Sequence, residues 1–261
     1  MRDTITVECK NHVMLIGLNR PAKRNRFNLA LIRELSEAYT ELSNTDELRC
    51  GVVFAYGEDF TFGLDAAEVL PKIAQDGPGS VIADGQCNPW RNYGRECDKP
   101  IVLAVQGRCL TSGFELALAS ELCVAAENAS FGQVEATRGV MPFGGATYRL
   151  PALIGWHNAM KFMLTDKTLG AQEAKALGLV QEVVALGRER EAAIDLAENI
   201  ARQAPIGVRE IIANARLSIR EGCMAAQNEL PALVRRMLST EDAQEGFMSL
   251  VEKRPAVFKG R

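Results

Sequence analysis

The fold of this chain is decided within residues 99–142, and above all by Ile101-Val-Leu-Ala-Val-Gln-Gly-Arg-Cys-Leu-Thr-Ser-Gly-Phe-Glu-Leu-Ala-Leu-Ala119. The first five residues are apolar and mostly β-branched, which predicts a short buried strand. A helical pattern without proline ends the stretch, and the residues between are rich in Gly, Thr and Ser, which permits a tight turn. A strand that enters a helix through such a loop leaves backbone N–H groups unpaired, which predicts an anion-binding position at the helix N-terminus.

Length, charge and cysteine usage limit the class of protein. The 261 residues suffice for one large α/β domain or two smaller ones, and a net charge of −3 with mixed signs predicts neither a nucleic-acid nor a membrane partner. The seven cysteines never form a C-x-x-C pair, which suits buried thiols in a reducing compartment better than disulfides or a zinc site. Because the N-terminal residues lack an apolar signal core, we expect a cytoplasmic protein. The alternative is a mitochondrial protein whose transit peptide has been removed.

The remaining chain alternates between predicted strands and helices, which favours an α/β fold with a mainly parallel sheet. Residues 4–18 predict a hairpin, and residues 145–166 a helical region with a break near Pro151. Residues 70–98 contain several Gly and Pro residues and predict a mobile or irregular insert, with a simple surface loop as an equal alternative. Helical periodicity dominates from Gly187, with boundaries expected near Pro205, Cys223 and Pro231. We therefore expect a core of residues 1–186 and a helical module of residues 187–261.

Several short runs together resemble the signature of the crotonase superfamily, the enoyl-CoA hydratases and isomerases. They are Lys99-Pro-Ile-Val-Leu-Ala-Val105, Gly113-Phe-Glu-Leu-Ala-Leu-Ala119, Ala129-Ser-Phe-Gly-Gln-Val-Glu135, Gly139-Val-Met-Pro142 and Arg149-Leu-Pro151. The resemblance extends from Leu18-Asn-Arg-Pro21 to Lys253-Arg254, nearly the whole chain. It implies a crotonase-type β/α spiral core with CoA and the active site. The helical module would cover that site and make the subunit contacts of a homotrimer or a dimer of trimers.

The same resemblance implies the catalytic groups of a hydratase. Glu115 would bind and activate water, and Glu135 would supply or remove the proton at C2 of a 2-enoyl thioester. The run Phe60-Thr-Phe-Gly-Leu-Asp65 matches a segment that supplies half of an oxyanion hole, which assigns the backbone N–H groups of Leu64 and Ser112 to the thioester oxygen. Coenzyme A would enter as part of the substrate, with no metal and no other cofactor.

The residue inventory is compatible with this chemistry. The two histidines, His12 and His157, stand in no Ser-His-Asp or metal-ligand pattern, and no G-x-S-x-G, P-loop or dinucleotide motif is present. Acid and base catalysis must therefore come from carboxylates, whose protons suit both steps of hydration. The spacing of 20 residues between Glu115 and Glu135 does not by itself bring them together.

Substrate binding is assigned by resemblance as well. The basic loop of residues 19–25 would meet the phosphates of CoA through Lys23 and Arg24, although a solvated connector is an equal alternative. Phe143 stands where the family often has glycine and predicts a narrowed or reshaped acyl pocket. The remaining assigned substrate contacts are Phe62, Asp65, Ala66 and Ala67, of which Asp65 could instead favour the N-terminus of a helix.

Three other features depart from the family pattern or compete with it. Val134 replaces a common proline, and Thr111 with Ser112 replaces a glycine pair. The run from Ser112 to Glu115 also has the form of a capping box, in which the glutamate would occupy the Ser112 N–H that the oxyanion hole needs. The serine could therefore tune the site or merely cap the helix.

Function is consequently expected to be enoyl-CoA hydration. A Δ3,Δ2-enoyl-CoA isomerase is the nearest alternative, because it can work with one carboxylate matching Glu135. A dienoyl isomerase is disfavoured, since its additional aspartate would fall at Phe143. A non-catalytic acyl-CoA-binding subunit on the same scaffold also stays open, because a fold does not fix a function.

Overall fold

The computed structural model describes residues 2–261 and has an α/β architecture. Over these residues the nine strands are β1 (Ile5–Lys10), β2 (Val13–Leu18), β3 (Cys50–Ala55), β4 (Ile101–Val105), β5 (Arg108–Leu110), β6 (Leu122–Ala126), β7 (Ser130–Gly132), β8 (Leu169–Gly170) and β9 (Glu182–Val184). The ten α-helices of the same range are α1 (Leu29–Asn44), α2 (Ala66–Asp76), α3 (Ser112–Ala119), α4 (Ala146–Ile154), α5 (Trp156–Met163), α6 (Ala171–Ala176), α7 (Glu189–Ala201), α8 (Pro205–Glu221), α9 (Cys223–Leu238) and α10 (Glu241–Glu252).

The main sheet has six strands in the order β1-β2-β3-β4-β6-β9. Only the β1–β2 hairpin is antiparallel, and every other neighbouring pair is parallel. The predicted hairpin and the mainly parallel sheet are thus confirmed. Parallel neighbours need crossover connections, which the helices between them supply.

Strand β4 shows why the sheet needs cover on both faces. Ile101, Leu103 and Val105 pack into one apolar cluster, whereas Val102 and Ala104 pack into another on the opposite face. A strand buried on both faces is a near-continuous apolar run, the pattern from which it was predicted. The second cluster is closed by α7, which presents the small residues Ala193, Ala197 and Ala201 at four-residue spacing.

A second sheet of three strands positions the candidate site. Its order is β5-β7-β8, with β5 and β7 parallel and β7 and β8 antiparallel. An isolated bridge joins Thr61 to Cys109 in β5, and another joins Phe27 to Leu64. This small sheet therefore gathers three distant segments: the residues around position 64, the turn from β5 into α3, and the residues that follow β7.

The helical region predicted for residues 145–166 does break, but at Gly155 and not at Pro151, whereas the boundary predicted near Pro231 is wrong. Pro151 is the sixth residue of α4, and the helix ends at Gly155, which has φ of +78°. Pro231 lies within α9. A proline removes one helical hydrogen bond, and in α4 the buried side chains of Leu150 and Ile154 hold the flanking turns in place. Gly155 is a better terminator, because glycine adopts positive φ without strain.

The division of the chain at residue 186 remains a prediction. Helix α7 belongs to the predicted module, yet its alanines pack directly on the main sheet, which favours counting it with the core. Helix α8 is held to the core by the ion pair of Arg216 with Glu121, a carboxylate that also pairs with Arg91 at 2.6 Å. All seven cysteines are free thiols; five are buried as expected, but Cys9 and Cys223 are exposed.

Candidate active site

A cavity of about 40 Å³ lies between α1, α2, α3 and the segment of residues 78–93. Four of the predicted site residues line it, namely Leu64, Ser112, Glu115 and Phe143. Its other walls are mainly apolar and include Ile32, Val69, Ile73, Val81, Ile82, Trp90 and Tyr93. Residues predicted from separate motifs therefore meet at one apolar cavity that contains a carboxylate.

Glu115 is the buried carboxylate of this cavity, with only 3% of its surface exposed. It lies in the first turn of α3, and its Oε1 accepts hydrogen bonds from the backbone N–H groups of Gly144 (2.8 Å) and Ala146 (3.1 Å). Burial raises the pKa of Glu115 to about 7, although these two donors and the charge of Arg149 act in the opposite direction. A group with this pKa exchanges its proton readily near neutral pH, as a general acid or base must.

The loop that holds Glu115 is itself tightly fixed. A Cβ at Gly144 would lie 2.8 Å from the carboxyl carbon of Glu115, so only glycine fits at that position. Arg149 donates to the carbonyl oxygens of Gly144 (3.0 Å), Trp90 (2.9 Å) and Arg91 (3.0 Å). The guanidinium therefore ties the carboxylate-binding loop to the segment on the other side of the cavity.

Glu135 follows β7 and precedes a single 3-10 turn, residues 136–138. It is buried, and with the amide of Gln133 oriented nitrogen towards it, Gln133 donates to both of its oxygens at 2.8 and 2.9 Å. Burial, together with a smaller effect of the negative charge of Glu115, raises the pKa of Glu135 to about 7. Although Glu135 is not among the described residues that line the cavity, the two carboxylates are close enough to interact electrostatically.

Two backbone N–H groups at the cavity are available for a ligand. The N–H groups of Leu64 and Ser112 make no hydrogen bond with any acceptor in residues 2–261. Around Leu64 the pairing with Phe27 uses the carbonyl of Gly63 and the N–H of Asp65, which leaves the N–H of Leu64 free. The capping box does not form, because the Glu115 carboxylate accepts from Gly144 and Ala146 instead.

Thr111 precedes this position with a backbone that threonine rarely adopts. Its φ is +52° and its ψ is −121°, which is a strained conformation for a β-branched residue. Thr111 in turn requires glycine at position 63, since a Cβ there would overlap the threonine side chain. The fit between Thr111 and Gly63 therefore fixes the conformation of the turn into α3. That turn then sets the position of the Ser112 N–H.

Most of the residues assigned to CoA lie on the surface. Lys23 and Arg24 are exposed, and so are Ala66 and Ala67 in the first turn of α2. Asp65 is the N-cap residue of α2, but its side chain makes no capping hydrogen bond and lies 3.7 Å from Arg20. None of these residues is among those that line the cavity.

The half-buried ring of Phe62 is the centre of a cationic cluster. The guanidinium carbons of Arg24, Arg108 and Arg26 lie 4.7, 5.0 and 6.0 Å from its centroid. None of the three guanidinium groups forms an ion pair with an acidic side chain in the described part of the chain. Sequence reasoning missed Arg26 and Arg108, which only the parallel pairing of β5 and the Thr61 bridge bring to Phe62.

The insert of residues 70–98 also supplies site residues that sequence reasoning missed. The indole N–H of Trp90 donates to the carbonyl oxygen of Ser112 at 2.7 Å, which orients the first residue of α3. Asn88 donates to Asn92, which donates to the carbonyl oxygen of Phe143 at 2.9 Å. The one feature of the sequence that could have indicated a site residue here was Trp90, one of two tryptophans in the chain, within a polar segment.

Two other kinds of site are not found in the described chain. Within residues 2–261, no group of three or more His, Cys, Asp and Glu side chains is arranged to hold a metal ion. No helix in that range has both the length and the apolar content to cross a membrane.

Known proteins resemble this chain along its whole length. A family model described as enoyl-CoA hydratase/isomerase matches residues 8–261. Enoyl-CoA hydratase EchA19 of Mycobacterium tuberculosis is 32% identical over 98% of this chain and 96% of its own. The 2,3-dehydroadipyl-CoA hydratase of Escherichia coli is 32% identical over 98% and 99%.

Solved structures show the same fold. A probable enoyl-CoA hydratase/isomerase from Mycobacterium abscessus superposes with a TM-score of 0.96 at 44% identity and covers 100% of both chains. An enoyl-CoA hydratase from Bacillus anthracis superposes with a TM-score of 0.89 at 30% identity and covers 99% of this chain and 100% of its own. The crotonase-type α/β fold predicted from the sequence is therefore confirmed.

Proposed function

We propose, from the premise that this chain belongs to the enoyl-CoA hydratase/isomerase family, that it adds water across the double bond of a 2-enoyl-CoA thioester. The product would be a 3-hydroxyacyl-CoA. The observation that carries the proposal is the pair of buried, electrostatically coupled carboxylates, Glu115 and Glu135, each with a pKa raised to about 7. Hydration needs one group to take a proton from water and another to deliver a proton to C2, and such a pair can do both near neutral pH.

The unpaired N–H groups supply the other requirement of the reaction. Negative charge develops on the thioester oxygen as water attacks C3, and fixed donors at that oxygen lower the barrier. We assign the N–H groups of Leu64 and Ser112 to this oxyanion hole, because both are free and both residues line the cavity. Glu115 would activate the water and Glu135 would protonate C2. Beyond the CoA portion of the substrate, the reaction needs no cofactor.

The way Glu115 is held favours hydration over the alternatives. An isomerase can work with Glu135 alone, yet here two backbone donors, a glycine and a tied loop all serve to position Glu115. A non-catalytic binding subunit would also have no use for two buried carboxylates, since burying ionisable groups costs stability.

The function is tested by following the conjugated enoyl absorbance of crotonyl-CoA in the presence of the purified chain. We expect the absorbance to fall as 3-hydroxybutyryl-CoA forms, with chromatography confirming the product. The same assay with a 3-enoyl-CoA separates the alternatives, because an isomerase would raise the absorbance of that substrate and leave crotonyl-CoA unchanged. Binding of both thioesters without turnover would favour the non-catalytic subunit.

The acyl end of the substrate is expected to be short. Phe143 and Trp90 both line the cavity, and Phe143 takes the place of a small residue in the family pattern. A bulky ring at this position leaves less room for a long chain, so we propose a narrowed acyl pocket and choose a four-carbon substrate for the assay.

The arginine cluster at Phe62 is proposed as the site for the phosphates of CoA. Guanidinium groups bind phosphate through paired hydrogen bonds, and these three have no acidic partner in residues 2–261 that would compete. CoA would then run towards the cavity along a surface formed by Lys23, Arg24, Phe62, Asp65, Ala66 and Ala67.

Arg108→Ala is expected to raise KM for the enoyl-CoA about tenfold with kcat nearly unchanged, because a phosphate contact acts on the bound ground state and the transition state alike. The effect should shrink as ionic strength rises. Arg190→Ala is a matched control, since Arg190 stacks on Phe54 at 3.9 Å in another part of the fold. An Arg108→Ala variant with the KM of the wild type would contradict the assignment.

Assembly and location remain proposals as well. Large apolar side chains are exposed on the C-terminal helices, including Ile211, Ile219, Leu238, Phe247 and Leu250. Exposed apolar surface of this extent marks protein contacts, so we propose a homotrimer or a dimer of trimers in which the helices of residues 187–261 supply the contacts. The seven free thiols favour a reducing compartment such as the cytoplasm.

A further inference from the structure

The hydroxyl group of Ser112 is a buried polar group without a partner. Ser112 lines the cavity and has 6% of its surface exposed, and its Oγ makes no hydrogen bond with any group in residues 2–261. A buried hydroxyl that lacks a partner costs stability, and the great majority of such groups are paired. Because Ser112 lines the cavity, a ligand atom in that cavity is the candidate partner for this hydroxyl.

The structural roles open to this side chain are not used. Thr111, and not Ser112, is the N-cap residue of α3, and its side chain makes no capping hydrogen bond. Glu115, three residues further on, is already bound by Gly144 and Ala146. Neither helix capping nor a bond to Glu115 therefore accounts for the Ser112 hydroxyl.

The backbone orientation of Ser112 is fixed by Trp90 and Thr111. Trp90 donates to its carbonyl oxygen at 2.7 Å, and Thr111 sets the turn that precedes it. The residue thus presents two donors from a fixed backbone, its unpaired N–H and its hydroxyl. In one serine these two donors are separated by only two carbon atoms, so both can reach the same acceptor.

We propose that the Ser112 hydroxyl donates a hydrogen bond to the thioester oxygen of the substrate, beside the N–H groups of Leu64 and Ser112 itself. This inference rests on the proposed function. The hydroxyl proton has no other acceptor in residues 2–261, and the oxygen that gains negative charge during hydration is the acceptor that the reaction brings to the helix N-terminus. Ser112 would then be a catalytic residue through its side chain as well as its backbone.

Ser112→Ala tests the proposal, because it removes the hydroxyl and keeps the N–H. We expect kcat to fall about tenfold and KM to change less than about twofold, since the lost bond is stronger in the transition state. The thermal midpoint should be equal to or higher than that of the wild type, because an unpaired buried hydroxyl has been removed. A purely structural serine could not give lower activity together with equal or greater stability.

A spectroscopic readout separates the hydroxyl from indirect effects. Infrared difference spectra of a bound 2-enoyl-CoA labelled with ¹³C at the thioester carbonyl report the donors at that oxygen. The carbonyl stretch should shift to higher frequency in Ser112→Ala. Ser120→Ala is the matched control, since the hydroxyl of Ser120 at the other end of α3 donates to the Leu116 carbonyl at 2.9 Å. It should leave both the frequency and kcat unchanged.

The outcomes distinguish this inference from the function on which it rests. If the wild type hydrates crotonyl-CoA and Ser112→Ala has the same kcat and the same carbonyl frequency, the proposed hydrogen bond from the Ser112 hydroxyl is wrong and the proposed function stands. A wild type that binds the thioester without hydrating it overturns the function, and the carbonyl frequency then still decides the serine contact. A wild type that binds no enoyl-CoA overturns both.

Discussion

Glu135→Gln is expected to lower kcat for crotonyl-CoA hydration by about a thousandfold or more, and Glu115→Gln by a comparable factor, because each removes a group that transfers a proton in the transition state. Both amides preserve the size of the side chain. In Glu115→Gln the new amide oxygen could still accept from Gly144 and Ala146, so the loop should keep its position. Steady-state rates with crotonyl-CoA measure the effect, and KM should change much less than kcat.

Glu127→Gln is the matched control for both variants, since Glu127 is an exposed glutamate between the two in sequence. It should keep the rate of the wild type. Full activity in either Glu115→Gln or Glu135→Gln would contradict the assigned proton transfers. Retention of isomerase activity by Glu115→Gln alone would favour the Δ3,Δ2-isomerase alternative.

The unfolding free energy of Glu115→Gln, measured at several pH values, will separate a loss of activity from a loss of fold. Burial raises the pKa of Glu115 from 4.5 to about 7, so between these values the folded state binds more protons than the unfolded state. Stability contributed by this group is therefore greatest below pH 4.5 and falls as pH rises towards 7. Compared with the wild type, the variant should gain about 1 to 3 kcal/mol in unfolding free energy at about pH 8 and little at about pH 5.

Gly144→Ala is expected to lower kcat by about a hundredfold or more, although the substitution adds a single methyl group. The new Cβ would meet the carboxyl group of Glu115, with its carboxyl carbon at 2.8 Å. Either the carboxylate or the loop must move, and both movements break the hydrogen bonds from Gly144 and Ala146. A displacement of about 1 Å at a catalytic group is enough for an effect of this size.

Gly170→Ala is the control for Gly144→Ala. A Cβ at Gly170 would meet nothing within 4 Å, and its φ of −73° suits alanine. We expect wild-type rates and stability from it. Crystals of Gly144→Ala should show Glu115 displaced; an active Gly144→Ala enzyme with Glu115 unmoved would refute the role given to this loop.

Much of this fold could be predicted from local sequence patterns. The continuous apolar run of β4 predicted a strand buried on both faces, because a parallel strand covered by helices on both sides has no polar face. Proline was a less reliable guide, since Pro151 and Pro231 lie inside helices whose packing tolerates the lost hydrogen bond. Gly155, with its positive φ, ended α4 instead.

The sequence by itself determined the strands of the main sheet, the carboxylates available for acid and base chemistry, and the family, because apolar periodicity and short motifs are local, whereas the three-stranded sheet β5-β7-β8 appeared only in the structure. Only the tertiary structure decided that Glu115 and Glu135 interact, that Arg108 joins Arg24 at Phe62, and that Trp90 orients Ser112.

The competition between a capping box and a free N–H at Ser112 was likewise decided in three dimensions, where Gly144 and Ala146 bind the Glu115 carboxylate. Contacts between distant residues depend on how strands pair and which faces are buried, and no spacing along the chain encodes them.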